Sequence, residues 1–194
     1  VCKQKFTDDN GDFRYELEGH GYTHLQFFTY TATLQTGKLY GGASIDVTFL
    51  PEPPAEYNLQ TVILPLAETP FSVSVAEGAT LNMGHLTLAI SPDSLAFPDL
   101  GESGELALAT APLADLPFTA NDPLAAWAFF PFDAGLSEPA ELTFPVTAIE
   151  GFEPGASVIY VNSADQGGLY EVDYGVSEET VTLQLDELTW LIVK

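Results

Sequence analysis

Short runs in which apolar and polar residues alternate are the feature of this sequence that most constrains its fold. In Val181–Asp186 (VTLQLD) every second residue is apolar, as one buried face of a β-strand requires, because successive side chains point to opposite faces. Similar runs recur between proline, glycine, aspartate and asparagine residues, and helical periodicity is scarce. Short strands spaced roughly 8–12 residues apart are typical of sandwiches and barrels. The sequence therefore predicts an all-β fold.

The predicted strands are bounded mostly by the 14 prolines and 16 glycines of the chain, which fit turns better than helices. They are Val1–Phe6, Asp12–Leu17, Leu25–Thr33, Ser44–Phe49, Leu59–Leu64, Phe71–Val75, His85–Ile90, Glu105–Thr110, Ala125–Phe130, Ala140–Val146, Ser157–Asn162, Leu169–Tyr174, Thr180–Leu185 and Thr189–Val193.

A short segment that ends in a proline, Leu66–Pro70 (LAETP), separates two groups of predicted strands. We expect two β-sandwich domains in tandem, immunoglobulin-like or transthyretin-like, at residues 1–67 and 68–194. A unit of about 65 residues is marginal alone. The first domain is therefore expected to lean on the second or to lack strands upstream.

The charge of the chain is one-sided, with 28 acidic residues against five basic ones. Four of the five basic residues lie within the first 38 positions, and residues 39–193 contain no Lys or Arg. Nucleic acid is not expected as a partner, because phosphates must be neutralised by cationic side chains. No apolar run approaches the roughly 18 residues that span a bilayer, so membrane insertion is not expected. The acidic surface is either a solvated exterior or one suited to divalent cations.

Cys2 is the single cysteine, which excludes an internal disulfide and a zinc site built on cysteines. It either pairs with a residue outside this sequence or is a free or buried thiol. The sequence begins with Val1 rather than Met, so we expect that a leader or a longer upstream region has been removed.

The first part of the chain resembles a carboxypeptidase regulatory-like (transthyretin-like) domain. The resemblance is carried by TDDNGDFRYEL, then the aromatic run HLQFFTYTATL, then Tyr40-Gly41-Gly42, and finally TVILPLA. It implies a hairpin in which Gly11 supplies a positive φ and Phe13 anchors the next strand in the core. Because the family has one or two strands before this hairpin, the domain is expected to be incomplete at its N-terminus or completed by a neighbouring chain.

The second part, residues 71–194, is similar to the ZU5-like β-sandwich modules of bacterial surface proteins. The matching stretches are LTLAISPDSLAF, PFDAGLSEPAELTFPV and VTLQLDELTWLIVK. Two extra residues interrupt the central element, and Glu187 stands where the family has a closing histidine. Both resemblances imply modules for recognition, adhesion or spacing, and neither implies a catalytic residue.

The DDNGD stretch is a candidate calcium site. Asp8, Asn10 and Asp12 alternate around Gly11, and calcium takes roughly six to eight oxygen ligands from loops of this composition. The alternative is a tight hairpin turn at Asn10-Gly11 in which the aspartate and asparagine side chains cap their own backbone. The residues fit both interpretations, and the hairpin is favoured.

Other chemistry-bearing patterns are weak. His20, His24 and His85 could form a three-histidine metal site, or could equally be surface polar residues. Carboxylate pairs are inevitable among so many acids and have no diagnostic value, and no G-x-S-x-G, G-x-G-x-x-G or P-loop pattern occurs. The sequence therefore predicts a protein that is not an enzyme.

Two aromatic clusters, Phe27–Tyr30 and Trp127–Phe132, contain consecutive aromatic residues. Strict alternation then places some of these rings on the outer face of a sheet, where they could contact glycan or protein. The alternative is that both faces are covered by the second sheet and the neighbouring domain.

These features predict a non-catalytic extracellular structural or adhesive protein. It would be a subunit or repeat module of a cell-surface or filamentous assembly, completed by strand exchange and by cation bridging. The alternative is a glycan- or protein-binding accessory module of a larger secreted protein.

Overall fold

A computed structural model of the 194-residue chain describes residues 24–29, 43–48, 65–67, 69–97, 100–118, 121–132, 134–162 and 168–194, the first two ranges by their backbone only. The strands are β1 (His24–Thr29), β2 (Ala43–Thr48), β3 (Phe71–Ser74), β4 (Ala79–Met83), β5 (Leu86–Ile90), β6 (Leu95–Ala96), β7 (Ser103–Thr110), β8 (Ala125–Phe130), β9 (Ala134–Pro145), β10 (Ile159–Asn162), β11 (Leu169–Val172), β12 (Tyr174–Ser177), β13 (Thr180–Leu188) and β14 (Trp190–Val193).

The all-β prediction is confirmed. Within the described ranges the only helical elements are two 3-10 turns, Leu113–Asp115 and Val146–Ala148. Strands β1 and β2 form an antiparallel pair with His24 opposite Thr48. The remaining strands form two antiparallel sheets of six strands each. The division into two tandem domains stays a prediction.

The first of these sheets has the order β11-β10-β14-β8-β7-β3 and carries Trp127 and Trp190, so we name it the tryptophan sheet. The second has the order β12-β13-β9-β5-β4, with β6 also paired to β9. Its outer face is rich in threonine, and we name it the threonine sheet.

The main core lies between the two sheets and is built by the period-two pattern of the sequence. In the threonine sheet, Leu88 lies opposite Leu142, and Leu142 lies opposite Leu183. All three side chains are buried and pack with Leu106 and Phe129 of the tryptophan sheet. Alternation places one face of each strand inside, and burial of these side chains is the main force that holds the sheets together.

A second apolar cluster covers the outer face of the tryptophan sheet. Ala128, Trp190 and Ile192 are buried in it, and the ring of Phe118 meets Trp190 edge-on with centroids 5.5 Å apart. Ala67, from the segment before β3, packs on the same cluster. All four residues of β14 are therefore buried, as a continuous apolar run predicts for a strand covered on both faces.

The outer face of the threonine sheet is polar. A register line crosses it from Asn82 through Thr87 and Thr143 to Thr182. The Thr87 hydroxyl donates a hydrogen bond of 3.0 Å to Oδ1 of Asn82. The two sheets therefore differ in their outer faces, because among the described residues a second apolar layer covers the tryptophan sheet and not the threonine sheet.

The chain crosses between the sheets at both edges of the sandwich. At one edge β3 passes to β4 through the turn that contains Gly78, and at the other β11 passes to β12 at Asp173. The sequence predicts a single strand over Leu169–Tyr174, whereas the structure divides it at Asp173 between the two sheets. The predicted strands Val1–Phe6, Asp12–Leu17 and Leu59–Leu64 lie outside the described residues.

Candidate functional site at a bent edge strand

Most of the metal-site candidates lie outside the described part of the chain, so the predicted sites stay predictions. Asp8, Asn10 and Asp12 lie outside that part, and so does His20. His85 is exposed at the tip of the β4–β5 hairpin. Among the described residues, no group of three or more His, Cys, Asp or Glu side chains is arranged to hold a metal ion.

The aromatic residues of β8 and the segment after it pack inward for the most part. Phe129 is buried in the core between the sheets, where half-buried Trp127 also packs, and Phe132 is buried in the second cluster. Phe130 is half-buried. This stretch therefore does not present a flat aromatic platform. For Phe27 and Phe28 the structure describes the backbone only.

A different feature stands out, which we call the bent edge: residues Leu169–Ser177, comprising β11, Asp173 and β12. Strand β11 is the outermost strand of the tryptophan sheet, and β12 is the outermost strand of the threonine sheet. One nearly continuous strand thus borders both sheets in turn.

Hydrogen bonds hold the bent edge in place at its start. The buried Asn162, the last residue of β10, donates from Nδ2 to the carbonyl of Gly168 at 2.9 Å. The Thr189 hydroxyl donates to the carbonyl of the same Asn162. These bonds fix the residue that enters β11, so the edge begins from a rigid support.

Tyr174 fixes the middle of the bent edge. Its hydroxyl donates to the carbonyl of Ser157 at 2.8 Å and accepts from the N–H of Gly155 at 3.1 Å. Its ring packs on Phe152 with centroids 5.6 Å apart. Because the Ser157 hydroxyl in turn accepts from the N–H of Glu153 at 2.9 Å, the loop before β10 and the first residue of β12 form one bonded unit.

The bent edge ends in an unusual turn. Ser177 pairs with Thr180, so β12 and β13 are joined by a two-residue loop of Glu178 and Glu179. Both loop residues have positive φ, 51° and 63°, which is the conformation of a type I′ turn. That turn prefers Asn-Gly because ordinary side chains disfavour positive φ. Two glutamates here place two exposed carboxylates at the tip against the local conformational preference.

The outer side of β12 presents backbone groups for pairing. In a two-residue hairpin the closing pair, here Ser177 and Thr180, is hydrogen-bonded, and hydrogen-bonded pairs alternate with non-hydrogen-bonded ones. The N–H and C=O groups of Tyr174 and Val176 therefore point away from β13. No strand of the described residues pairs with that side. The Val176 side chain is 42% exposed beside it.

The surroundings of the bent edge are strongly negative. Six acidic residues fall between positions 171 and 187, and all but half-buried Glu187 are exposed: Glu171, Asp173, Glu178, Glu179, Asp186 and Glu187. Burial raises the pKa of the Tyr170 phenol to about 12, and the nearby negative charges of Glu187 and Asp186 contribute to the rise. The edge therefore combines concentrated negative charge with backbone groups that the described strands leave open for pairing.

A shallow cleft of about 460 Å³ borders the loop that supports Tyr174 and is lined in part by Asp122, Glu153 and Lys194. These three charged side chains are all exposed, and the buried Ser157 hydroxyl in the lining is already bonded to the N–H of Glu153. The bent edge, with its fixed backbone, is the better-defined feature.

No model of a known protein family matches the chain, and a search of the curated proteins finds no match either. The two family resemblances in the sequence therefore stay predictions. None of the helical turns in the described residues is long and apolar enough to cross a membrane.

Proposed function

We propose that this protein is a non-catalytic structural or adhesive module that associates through its sheet edges into an extracellular assembly. The observation that carries the proposal is the bent edge, which is fixed by Asn162 and Tyr174 and presents backbone groups that no strand of the described residues pairs with. An edge strand is a template for pairing with another chain. Natural proteins blunt edges that must stay solitary with very short strands, charged side chains, proline or bulges. Strand β12 is short, but none of its residues 174–177 is charged or a proline.

The charge of the chain supports the same proposal. Residues 65–194 contain 20 acidic residues and one basic residue, Lys194. Copies of such a surface repel one another unless cations or basic segments neutralise the contact. Association is therefore expected to depend on ionic conditions. Divalent cations would bridge carboxylates of neighbouring copies as well as screen them.

Sedimentation velocity of the full chain tests this proposal. The protein is examined over a hundredfold concentration range in calcium and in EDTA at constant ionic strength. The proposal predicts sedimentation coefficients that rise with concentration, and a larger rise in calcium. A single monomeric species at every concentration in both buffers would contradict it. Magnesium at the same concentration separates general divalent screening from a preference for calcium.

A further inference from the structure

We propose that the outer side of β12 accepts the segment Val1–Phe6 of a second copy of this chain as an added antiparallel strand. The inference rests on the proposed function, because it names the surface and the partner segment through which copies associate. The added strand would become the new outermost strand of the threonine sheet.

The backbone geometry defines which groups take part. Tyr174 and Val176 direct their N–H and C=O groups outward, so a neighbouring strand gains four hydrogen bonds over a length of four residues. Tyr174 cannot swing away from this position without breaking its bonds to Ser157 and Gly155. The edge is therefore preorganised for pairing, and ordering it on binding costs little conformational entropy.

Charge complementarity selects the partner segment. Val1–Phe6 reads VCKQKF, carries Lys3 and Lys5 at the two-residue period of a strand, and contains no acidic residue. Arg14 lies in an acidic segment, between Asp12 and Glu16, so its charge is offset by its neighbours. The remaining basic residues, Lys38 and Lys194, are each isolated in the sequence. Val1–Phe6 is thus the one segment of the sequence that joins the strand pattern to a positive charge on one face.

In an added antiparallel strand with Cys2 opposite Ser177, Lys3 lies opposite Val176 and Lys5 opposite Tyr174, and acidic residues lie at both ends of this stretch. Asp173 precedes the strand, and Glu178 and Glu179 follow it, all exposed. A lysine pair beside a strand of four residues lies within one Debye length of all three carboxylates, about 10 Å at 0.1 M salt. An added strand would also cover Val176, which is otherwise 42% exposed.

Disulfide trapping with the native Cys2 tests the pairing. Ser177→Cys places a thiol where β12 would form a non-hydrogen-bonded pair with the added strand, the pairs in which side chains approach most closely. Ser72→Cys is the matched control, since Ser72 is an exposed serine on β3, the outermost strand at the opposite edge. Diamide oxidises each thiol pair, taking up the two electrons and two protons released as the disulfide forms. Products are separated on non-reducing gels.

The expected result is a ladder of disulfide-linked chains for the Ser177→Cys variant. Each chain then carries one thiol on its Val1–Phe6 segment and one on β12, so every chain can be linked to two others. The wild-type protein and the Ser72→Cys variant should stop at a dimer linked through Cys2. Adding Lys3→Glu and Lys5→Glu to the Ser177→Cys variant should reduce the ladder at least fivefold. Further adding Glu178→Lys and Glu179→Lys should restore it. Thermal melting of each variant verifies that it is folded.

Two gel patterns would overturn the inference. One is a ladder of equal intensity from the Ser72→Cys variant, and the other is a monomer with an internal disulfide, which would place the segment on its own chain. If no ladder forms while sedimentation shows association, this inference fails and the proposed function stands. If sedimentation shows only monomer, both fail.

Discussion

The chain crosses from one sheet to the other at both edges of the sandwich, and the two crossings are built differently. At each edge the chain must leave one sheet and enter the other, once between β3 and β4 and once between β11 and β12. The first crossing is a tight turn that closes on itself: the N–H of Gly78 donates to the carbonyl of Ser74 at 3.1 Å, and that of Asp93 donates to the carbonyl of Val75 at 2.8 Å.

The second crossing is a bent strand held by side chains. Tyr174 and Asn162 provide its support, and acidic residues surround it. The first crossing is held by backbone hydrogen bonds, whereas the second combines support from side chains with concentrated negative charge and two successive glutamates of positive φ. Departures of this kind from local preference tend to mark functional surfaces.

The largest effect is expected at the first crossing. Gly78 has a φ of 65°, and a Cβ atom there would lie 2.5 Å from the carbonyl oxygen of Ile90 and 2.7 Å from the nitrogen of Pro92. Gly78→Ala should therefore lower the free energy of unfolding by about 3 kcal/mol or more, as measured by urea denaturation. Gly84→Ala is the control: its φ is 62°, but its Cβ would meet nothing within 4 Å, so only about 1 kcal/mol should be lost. Equal losses would contradict the steric account of the first crossing.

The next largest loss of stability is expected at the second crossing, on removal of the Tyr174 hydroxyl. Tyr174→Phe removes the hydroxyl that joins Ser157 and Gly155, and should lower the free energy of unfolding by about 1–2 kcal/mol. Tyr170→Phe, four residues earlier on the same bent edge, is the matched control and should change it by less than about 0.5 kcal/mol at neutral pH. If the two variants are equally stable, Tyr174 does not support the edge.

A smaller effect of opposite sign is expected at the tip of the bent edge. Replacing Glu178 by Asn and Glu179 by Gly supplies the residues that a type I′ turn prefers and removes two like charges. The double variant should be more stable by about 1 kcal/mol, seen as a higher midpoint of denaturation at unchanged slope. It should also associate less, because its contact surface has lost two carboxylates. A more stable variant that associates as well as the wild type would show that the carboxylates of Glu178 and Glu179 do not contribute to association.

The smallest effect concerns pH. The pKa of Tyr170 is raised from its ordinary value of 10 to about 12, by burial first and then by Glu187 and Asp186. The unfolded chain therefore releases this proton at lower pH than the folded chain, and the stabilisation present below pH 10 is lost as pH rises toward 12. Tyr170→Phe should flatten the stability profile in that interval. Profiles that fall in parallel would show that Tyr170 does not contribute.

The all-β fold could be predicted because it depends on local pattern. Alternation in β5 and β13 and the continuous apolar run of β14 are visible in the sequence, and the structure buries those residues accordingly. Strand β12 was not predicted, because Gly175 interrupts the short segment Tyr174–Ser177 and glycine is depleted in strands. Its conformation is set by pairing with β13.

The candidate site could not be predicted in the same way. The division of Leu169–Tyr174 at Asp173 depends on which sheet each half joins, and that is a non-local property. The turn at Glu178-Glu179 carries neither the glycine nor the asparagine that normally marks it. The one available signal was the concentration of six acidic residues between positions 171 and 187, which merged into the general acidity of the chain.

Hydrogen–deuterium exchange of the full chain, at concentrations below and above the onset of association, tests the central claim most directly. The two edges can be compared in one experiment, since outward-facing amides occur at Tyr174 and Val176 on β12 and at Thr80 and Asn82 on β4. The account predicts that association slows exchange at Tyr174 and Val176 at least tenfold and leaves Thr80 and Asn82 unchanged. Association that protects β4 and leaves β12 unchanged would contradict it.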